Sequence, residues 1–331
     1  MRRPRRTLTL LAALPLAALG SGCAVRSYAL EGERAPLAVP DEVAARFAYE
    51  RLDEVKLERL DLDEDVARVF SGSVTIRLVD DPEPLHVQFE YWQARSARGP
   101  APTIVITPIL GGGRDLALYH CRSFNEAGMH AVLVDRGSKV LRKSWPIDAV
   151  ERGLRRAVAG RRAVVDWLHT RSDVDSTRLG AFGISMGGIL TSVLLAVEPR
   201  LTSGVVALAG GDVPSIISQS VESRLVEWRA AKAEELVTTE AEVEALLRAS
   251  LVSDPARMAP FVDPRRVLFV STRWDTVVPP DNQELLWREL GRPLRYDLPA
   301  GHYTGIVFLP YVMGVAVEWL EQRFQIAPGD P

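Results

Sequence analysis

The chain has 331 residues, 47% of them hydrophobic and 25% charged, with a formal net charge of −3. This is the composition of a globular protein, long enough for one large or two small domains. No period of about 20 to 50 residues repeats, which argues against a solenoid or propeller. No basic tract follows the first few residues, which argues against nucleic acid as a partner.

The N-terminus reads MRRPRRTLTLLAALPLAALGSGC. Four arginines precede a short apolar run from Leu8 to Leu19, and small residues follow. That is the layout of a secretory signal peptide over residues 1–22. The run is too short for a comfortable membrane span. Gly20, Ser21 and Gly22 lead directly into Cys23. This resembles the lipobox of bacterial lipoproteins, although the third residue before the cysteine is Gly20 rather than an aliphatic residue. The resemblance implies lipidation at Cys23, cleavage just before it, and a protein exported to the cell envelope and held to a membrane by its acyl chains. Plain secretion is the alternative. The only other cysteine, Cys121, then has no disulfide partner and is expected on a helix in or near the core.

Residues 23–40 carry Pro, Gly and charge without periodicity and read as a tether from the lipid to a domain spanning 41–331. Residues 41–70 suggest one or two short helices at the domain edge. The runs SGSVTIRLV and LHVQFEYW, separated by DDPEP, predict an antiparallel hairpin. TIVITP (103–108) reads as a strand buried on both faces. Helix and strand then alternate: helix 114–127, strand 130–135, helix 148–171, strand 178–184, a helix from Met186, and strand 204–210. After an interruption come strand 265–272, helix 281–290, strand 294–299 and a closing helix over 304–323. The pattern predicts a mostly parallel sheet with helices on both faces and an antiparallel N-terminal edge. The interruption, 212–263, holds only helical stretches and is expected to form a cap over the C-terminal edge of the sheet. The apolar closing helix, with its internal Pro310 and Gly314, is expected to lie behind the sheet rather than in a membrane.

Gly183-Ile184-Ser185-Met186-Gly187 is a G-x-S-x-G sequence between a predicted strand and a predicted helix. That setting defines a nucleophile elbow. Side chains at Gly183 and Gly187 are expected to collide with their surroundings, while the turn lifts the Ser185 hydroxyl to a helix N-terminus. A serine nucleophile needs a base. Of the five histidines, His86, His120, His130 and His169 fall in regular elements, whereas His302 follows the last strand, in PAGHYTG. Loops at strand C-termini are where an open α/β sheet builds its site. Asp275, in STRWDTVVPP, follows the preceding strand and is the expected orienting acid; Asp212 and Asp254 compete. The oxyanion hole is expected from the N–H of Met186 and from the loop after TIVITP, with Leu110 the first choice and Gly111 the second. Trp145, Trp228 and Trp274 are equally consistent with pocket lining and with packing.

Together GISMGG, STRWDTVVPP and PAGHYTG resemble the α/β-hydrolase superfamily, in particular its dienelactone-hydrolase and prolyl-oligopeptidase-like branches. The resemblance covers roughly residues 71–324. It implies hydrolysis through an acyl-enzyme, usually of a small-molecule ester, with no metal or organic cofactor. The loop after residue 107 lacks the family's usual His-Gly pair, and the cap matches no known lid, so the substrate stays open. Two readings stand beside ester hydrolysis: an amidase or peptidase with the same triad, and a non-catalytic envelope binding protein on the same scaffold.

Overall fold

A computed structural model describes residues 24–31, 34–60, 62, 65–109, 114–135 and 144–326. The expected signal peptide, Cys23, Leu110 and Gly111 lie outside the described residues. The described elements are β1 (Arg26–Tyr28), α1 (Asp41–Ala45), β2 (Tyr49–Arg51), β3 (Lys56–Arg59), β4 (Ala67–Leu78), β5 (Leu85–Ala94), β6 (Ala101–Thr107), α2 (Arg114–Glu126), β7 (His130–Val134), α3 (Ala149–Leu168), β8 (Val174–Ile184), α4 (Met186–Val197) and β9 (Leu201–Ala207). They continue as α5 (Val213–Gln219), α6 (Ser223–Glu235), α7 (Glu240–Ser250), α8 (Pro255–Met258), β10 (Val267–Thr272), α9 (Pro280–Glu289), β11 (Leu294–Leu298), a 3-10 turn (Thr304–Phe308) and α10 (Leu309–Phe324).

The strands form one sheet in the order β1-β11-β10-β9-β8-β6-β7-β5-β4-β2, with β3 also on β4. The run from β11 to β7 is parallel, and β5, β4, β3 and β2 continue it antiparallel. Side-chain alternation splits the core between the two faces. Val105, Val132, Ala181 and Phe269 pack under α3, α4 and α9. Ile104, Ile106, Phe182 and Leu268 pack under α2 and α10. This is the α/β-hydrolase architecture, with the expected antiparallel edge and two helical layers.

The helices α5 to α8 form the expected insertion between β9 and β10. They bury Ile216, Leu225, Trp228, Val243 and Leu247 among themselves and against the main core. A Thr239–Glu242 capping box starts α7. The closing helix lies on the sheet, burying Met313, Ala316, Trp319, Leu320 and Phe324.

Three expectations need correction. Residues 24–40 are not a free tether: β1 pairs antiparallel with β11, Leu37 N–H donates to the Pro260 carbonyl at 2.9 Å, and Arg34 reaches the Glu289 carbonyl at 2.8 Å. Composition registers the polar, Pro-bearing character of the segment, but not the unpaired edge of β11 that recruits it. The described residues of 41–70 hold one short helix, α1, followed by β2, β3 and the start of β4. The charged side chains that suggested helix are those of short, solvent-facing edge strands. Strand β9 ends at Ala207, because Leu208 turns to φ 50° and leaves the sheet; continuous apolarity hid that turn.

Candidate active site

Strand β8 ends at Ile184 and α4 begins at Met186, so Ser185 alone makes the turn, at φ 58° and ψ −124°. Such a conformation costs about 1–3 kcal/mol in a non-glycine residue and persists only where its surroundings enforce it. Here Ser185 N–H donates to the Ala207 carbonyl at 2.9 Å, and the Ser185 carbonyl accepts the Ile189 N–H at 3.0 Å. The two glycines are steric requirements. A Cβ at Gly183 would stand 2.2 Å from the Gly187 carbonyl oxygen, and one at Gly187 would stand 2.2 Å from the Thr107 carbonyl oxygen. The turn leaves the hydroxyl at the N-terminus of α4, where Met186 N–H has no partner within the helix and the helix dipole favours negative charge.

The loop after β11 brings His302 over this hydroxyl. His302 Nε2 lies 2.9 Å from Ser185 Oγ, and its Nδ1 lies 2.8 Å from Asp275 Oδ2. Asp275 sits in the turn after β10 and is fully buried. Its Oδ1 accepts Val277 N–H at 2.9 Å and Val278 N–H at 2.8 Å; its Oδ2 also accepts Thr272 Oγ1 at 2.9 Å and Gln283 Nε2 at 3.2 Å. The carboxylate is thus locked in orientation before it meets the imidazole. Ser185, Asp275 and His302 therefore meet at the C-terminal edge of the parallel strands. The competing acids stand elsewhere. Asp212 caps α5 and pairs with Arg248 at 2.6 Å; Asp254 caps α8 and accepts the N–H groups of Asp212 and Val213.

A cavity of about 570 Å³ opens above Ser185 and His302. Its walls are largely aliphatic: Ile109 after β6, Leu154 of α3, Ile189 of α4, Ile216 and Leu225 of the cap, and Leu298 of β11. Glu222, Arg224 and Tyr303 bring polar groups to it. None of Trp145, Trp228 and Trp274 lines it; Trp228 is buried inside the cap and Trp274 is exposed. Among the described residues no group of three His, Cys, Asp or Glu side chains gathers to hold a metal ion.

A model of the prolyl oligopeptidase family matches residues 119–298, more than half of the 331. The chain belongs to the prolyl oligopeptidase family. As a member of it, the chain is a serine hydrolase of the α/β-hydrolase fold. The match takes in Ser185 and Asp275 and stops short of His302, which the fold itself carries to the other two.

No curated protein sequence matches. Solved structures do. An acetyl xylan esterase from Paenibacillus sp. R4 superimposes with a TM-score of 0.60 at 17% identity, covering 85% of this chain and 99% of that one. Acetyl xylan esterase 1 from Thermoanaerobacterium sp. JW/SL YS485 gives 0.58 at 17%, covering 80% and 88%. Est1E from Butyrivibrio proteoclasticus gives 0.54 at 13%, covering 81% and 99%. At such identities the likeness is one of fold.

Two residues that no motif in the sequence flags support the site from below. Gln283, on α9, accepts Thr272 N–H at 3.0 Å and donates to the Val278 carbonyl at 2.8 Å while also reaching Asp275. It lies on the same buried stripe as Leu286 and Trp287, and a polar residue on an apolar stripe is the signal that could have found it. Arg161, fully buried on α3, donates to Thr107 Oγ1 at 2.8 Å and to the Val134 carbonyl at 3.3 Å. It fixes the end of β6, whose carbonyl packs against Gly187. The other histidines are structural: His130 accepts Ala94 N–H at 3.0 Å, His86 contacts Thr75, His169 closes α3, and His120 is buried against Phe182.

Proposed function

We propose that the chain hydrolyses carboxylic esters through an acyl-enzyme, with Ser185 as nucleophile, His302 as general base and Asp275 as orienting acid. The observation that carries this reading is the unbroken hydrogen-bonded path from Ser185 Oγ through both ring nitrogens of His302 to Asp275, opening onto an aliphatic pocket. His302 Nε2 takes the hydroxyl proton as Oγ attacks the carbonyl carbon. Asp275 holds the Nδ1 proton and stabilises the imidazolium. Met186 N–H supplies one donor to the tetrahedral oxyanion; the second, expected from Leu110 or Gly111, lies outside the described residues. The imidazolium protonates the leaving alcohol. Water, deprotonated by His302, then attacks the acyl carbonyl and releases the acid.

Esters are favoured over amides by the nature of the walls, which offer an acyl chain many aliphatic contacts and a peptide backbone few partners. The neighbours named as esterases point the same way. The cavity of about 570 Å³ is far larger than an acetyl group needs, which leaves room for a longer acyl chain or for the alcohol portion. The arginine-rich leader and the Cys23 context further support export and a lipid anchor at the cell envelope.

The test is a fluorophosphonate probe and a panel of p-nitrophenyl esters of increasing chain length, with Ser185→Ala alongside. We expect labelling of the wild type alone, esterase activity, and a loss on the order of 10⁴-fold or more in kcat for the variant. Turnover of aminoacyl anilides without turnover of esters would make the protein an amidase. Absence of labelling in the folded protein would make it a binding protein.

A further inference from the structure

An apolar crest stands at one side of the pocket mouth, where two of its members, Tyr303 and Ile306, also line the cavity. Val221 is 61% exposed, Trp274 57%, Tyr303 65%, Ile306 56% and Val307 77%. These residues are neighbours although they come from three segments. Trp274 N–H donates to the Ala300 carbonyl at 3.0 Å, Val221 N–H to the Thr276 carbonyl at 3.0 Å, and Tyr303 to Glu222 beside Val221. Ile306 and Val307 lie on the 3-10 turn that directly follows His302 and Tyr303. This turn is the start of the one described helical stretch, Thr304–Phe324, long and apolar enough by composition to cross a bilayer; only 28% of its apolar window is buried. Its later turns cover the sheet; in the opening turn Phe308 packs on the cluster of Leu208, Leu298 and Ala300, while Ile306 and Val307 stay exposed. Isolated exposed apolar residues are ordinary, but a cluster beside a pocket mouth marks a contact surface.

The N-terminal chain arrives at this same place. Since β1 runs antiparallel to β11, following it back from Tyr28 to Ala24 leads to the C-terminal end of β11, where the His302 loop departs. Arg273, next to Trp274, donates to the Ala24 carbonyl at 2.7 Å, and Val25 packs on Leu298 and Ala300. Cys23 is therefore one peptide bond from a residue pinned at the crest. A tether of 17 flexible residues would leave the domain free to tumble at a membrane; this docking removes that freedom.

We propose that the mouth of the active site faces the bilayer, the crest resting among the lipid headgroups, and that the ester it hydrolyses carries an acyl chain drawn from that bilayer. The proposal rests on the reading of Cys23 as the anchor and of Ser185 as an ester-cleaving nucleophile. Valine and isoleucine supply apolar area, and tryptophan and tyrosine suit the interface, where one end of the ring is dry and the other wet. Behind the crest the aliphatic cavity continues the apolar path to Ser185, so a chain leaving the bilayer reaches the nucleophile without crossing water.

The test uses the full chain, processed in a bacterial host and reconstituted into vesicles of equimolar phosphatidylethanolamine and phosphatidylglycerol. A genetically encoded fluorescent amino acid replaces Val307, or, as a control, Arg98 in the β5–β6 loop at the opposite end of the parallel strands. Quenching by doxyl-labelled lipid should be several-fold stronger at 307 than at 98. Equal quenching at both, or none at 307, overturns the proposal. As a second measurement, Val221→Asp/Val307→Asp, two exposed positions outside the pocket, should lose most activity on a fluorogenic long-chain ester held in the vesicle. It should keep its rate on a water-soluble ester. Equal rates for variant and wild type on both esters would also overturn it. The mass of the intact protein reports the anchor separately. A lipidated chain with the 307 probe in water keeps the anchor and sinks the bilayer-facing mouth; an unlipidated chain whose 307 probe is still quenched does the reverse.

Discussion

The Tyr303 hydroxyl donates to the Glu222 carboxylate and so ties the loop bearing His302 to the start of cap helix α6. Tyr303 also sets its ring edge-on to the His302 imidazole, at 5.6 Å between centroids. The hydrogen bond to Glu222, with some burial, raises the phenol above its ordinary value, so it remains a donor through the neutral range. Tyr303→Phe keeps the ring and removes the tie. An exposed bond of this kind is worth about 1 kcal/mol or less, so thermal stability should barely change. The cap should sit more loosely over the pocket, raising KM for a soluble ester by up to about fivefold while kcat holds. Steady-state kinetics check this, and an unchanged KM would show that the cap is held by its apolar contacts alone.

Asp275 and Gln283 offer a sharper dissection. Asp275→Asn leaves the shape of the site but loses the charge that stabilises the imidazolium, and kcat should fall by about 10⁴-fold. Gln283→Met fills nearly the same volume while withdrawing a donor from Asp275 Oδ2 and an acceptor from Thr272 N–H. Leaving buried groups unpaired costs about 1–3 kcal/mol. We expect a fall in stability of that size and a drop in kcat of about tenfold with KM unchanged, because the carboxylate keeps its charge and loses only part of its orientation. Urea titration and initial-rate kinetics measure the two effects separately.

Mild acid should destabilise the protein through its buried histidines. Burial lowers His120 from 6.5 to about 4, and its Nε2 has no partner. Burial also lowers His130. The unfolded chain, with ordinary histidines, binds the extra protons first. The histidine contribution is therefore complete above 6.5, the ordinary value, and erodes as pH falls from there; for His120 the erosion ends near 4. His120 alone accounts for about 3 kcal/mol across that window. Urea midpoints between about pH 7.5 and pH 4.5 should follow this slope, and His120→Leu, which keeps an apolar contact for Phe182, should flatten it.

The parts of this molecule that can be read in its sequence are those where local sterics and long-range placement agree. The elbow is legible because Gly183 and Gly187 have no substitute there. Asp275 and His302 are legible because each directly follows a strand with a strong apolar signal. Strands β2 and β3 were hidden because edge strands carry the charge that elsewhere marks a helix face. Strand β1 was hidden because its partner, β11, lies some 270 residues away, with Arg26 opposite Asp297. Gln283 and Arg161 carry no motif at all. Their role exists only once α9 and α3 have docked on the sheet, bringing a side-chain amide to Asp275 and a guanidinium to Thr107.

The glycines allow one direct comparison between a site-bound and a neutral position. At Gly187 an added methyl group meets the Thr107 carbonyl oxygen at 2.2 Å. That oxygen belongs to the backbone of β6, a central strand held by β7 and β8, and cannot step aside. Gly187→Ala should therefore cost about 3 kcal/mol or more, and the displacement falls on the turn that presents Ser185, so hydrolase activity should vanish even in the fraction that folds. Gly314 stands on the outer side of α10, where a Cβ would meet no atom within 4 Å. There alanine gains the helix preference that glycine lacks, about 0.5–1 kcal/mol. Gly314→Ala should raise the melting temperature by about 2 °C with unchanged kinetics. Calorimetry on the two variants decides the matter, and a Gly187→Ala protein that melts and turns over like the wild type would mean that the elbow is looser than its geometry requires.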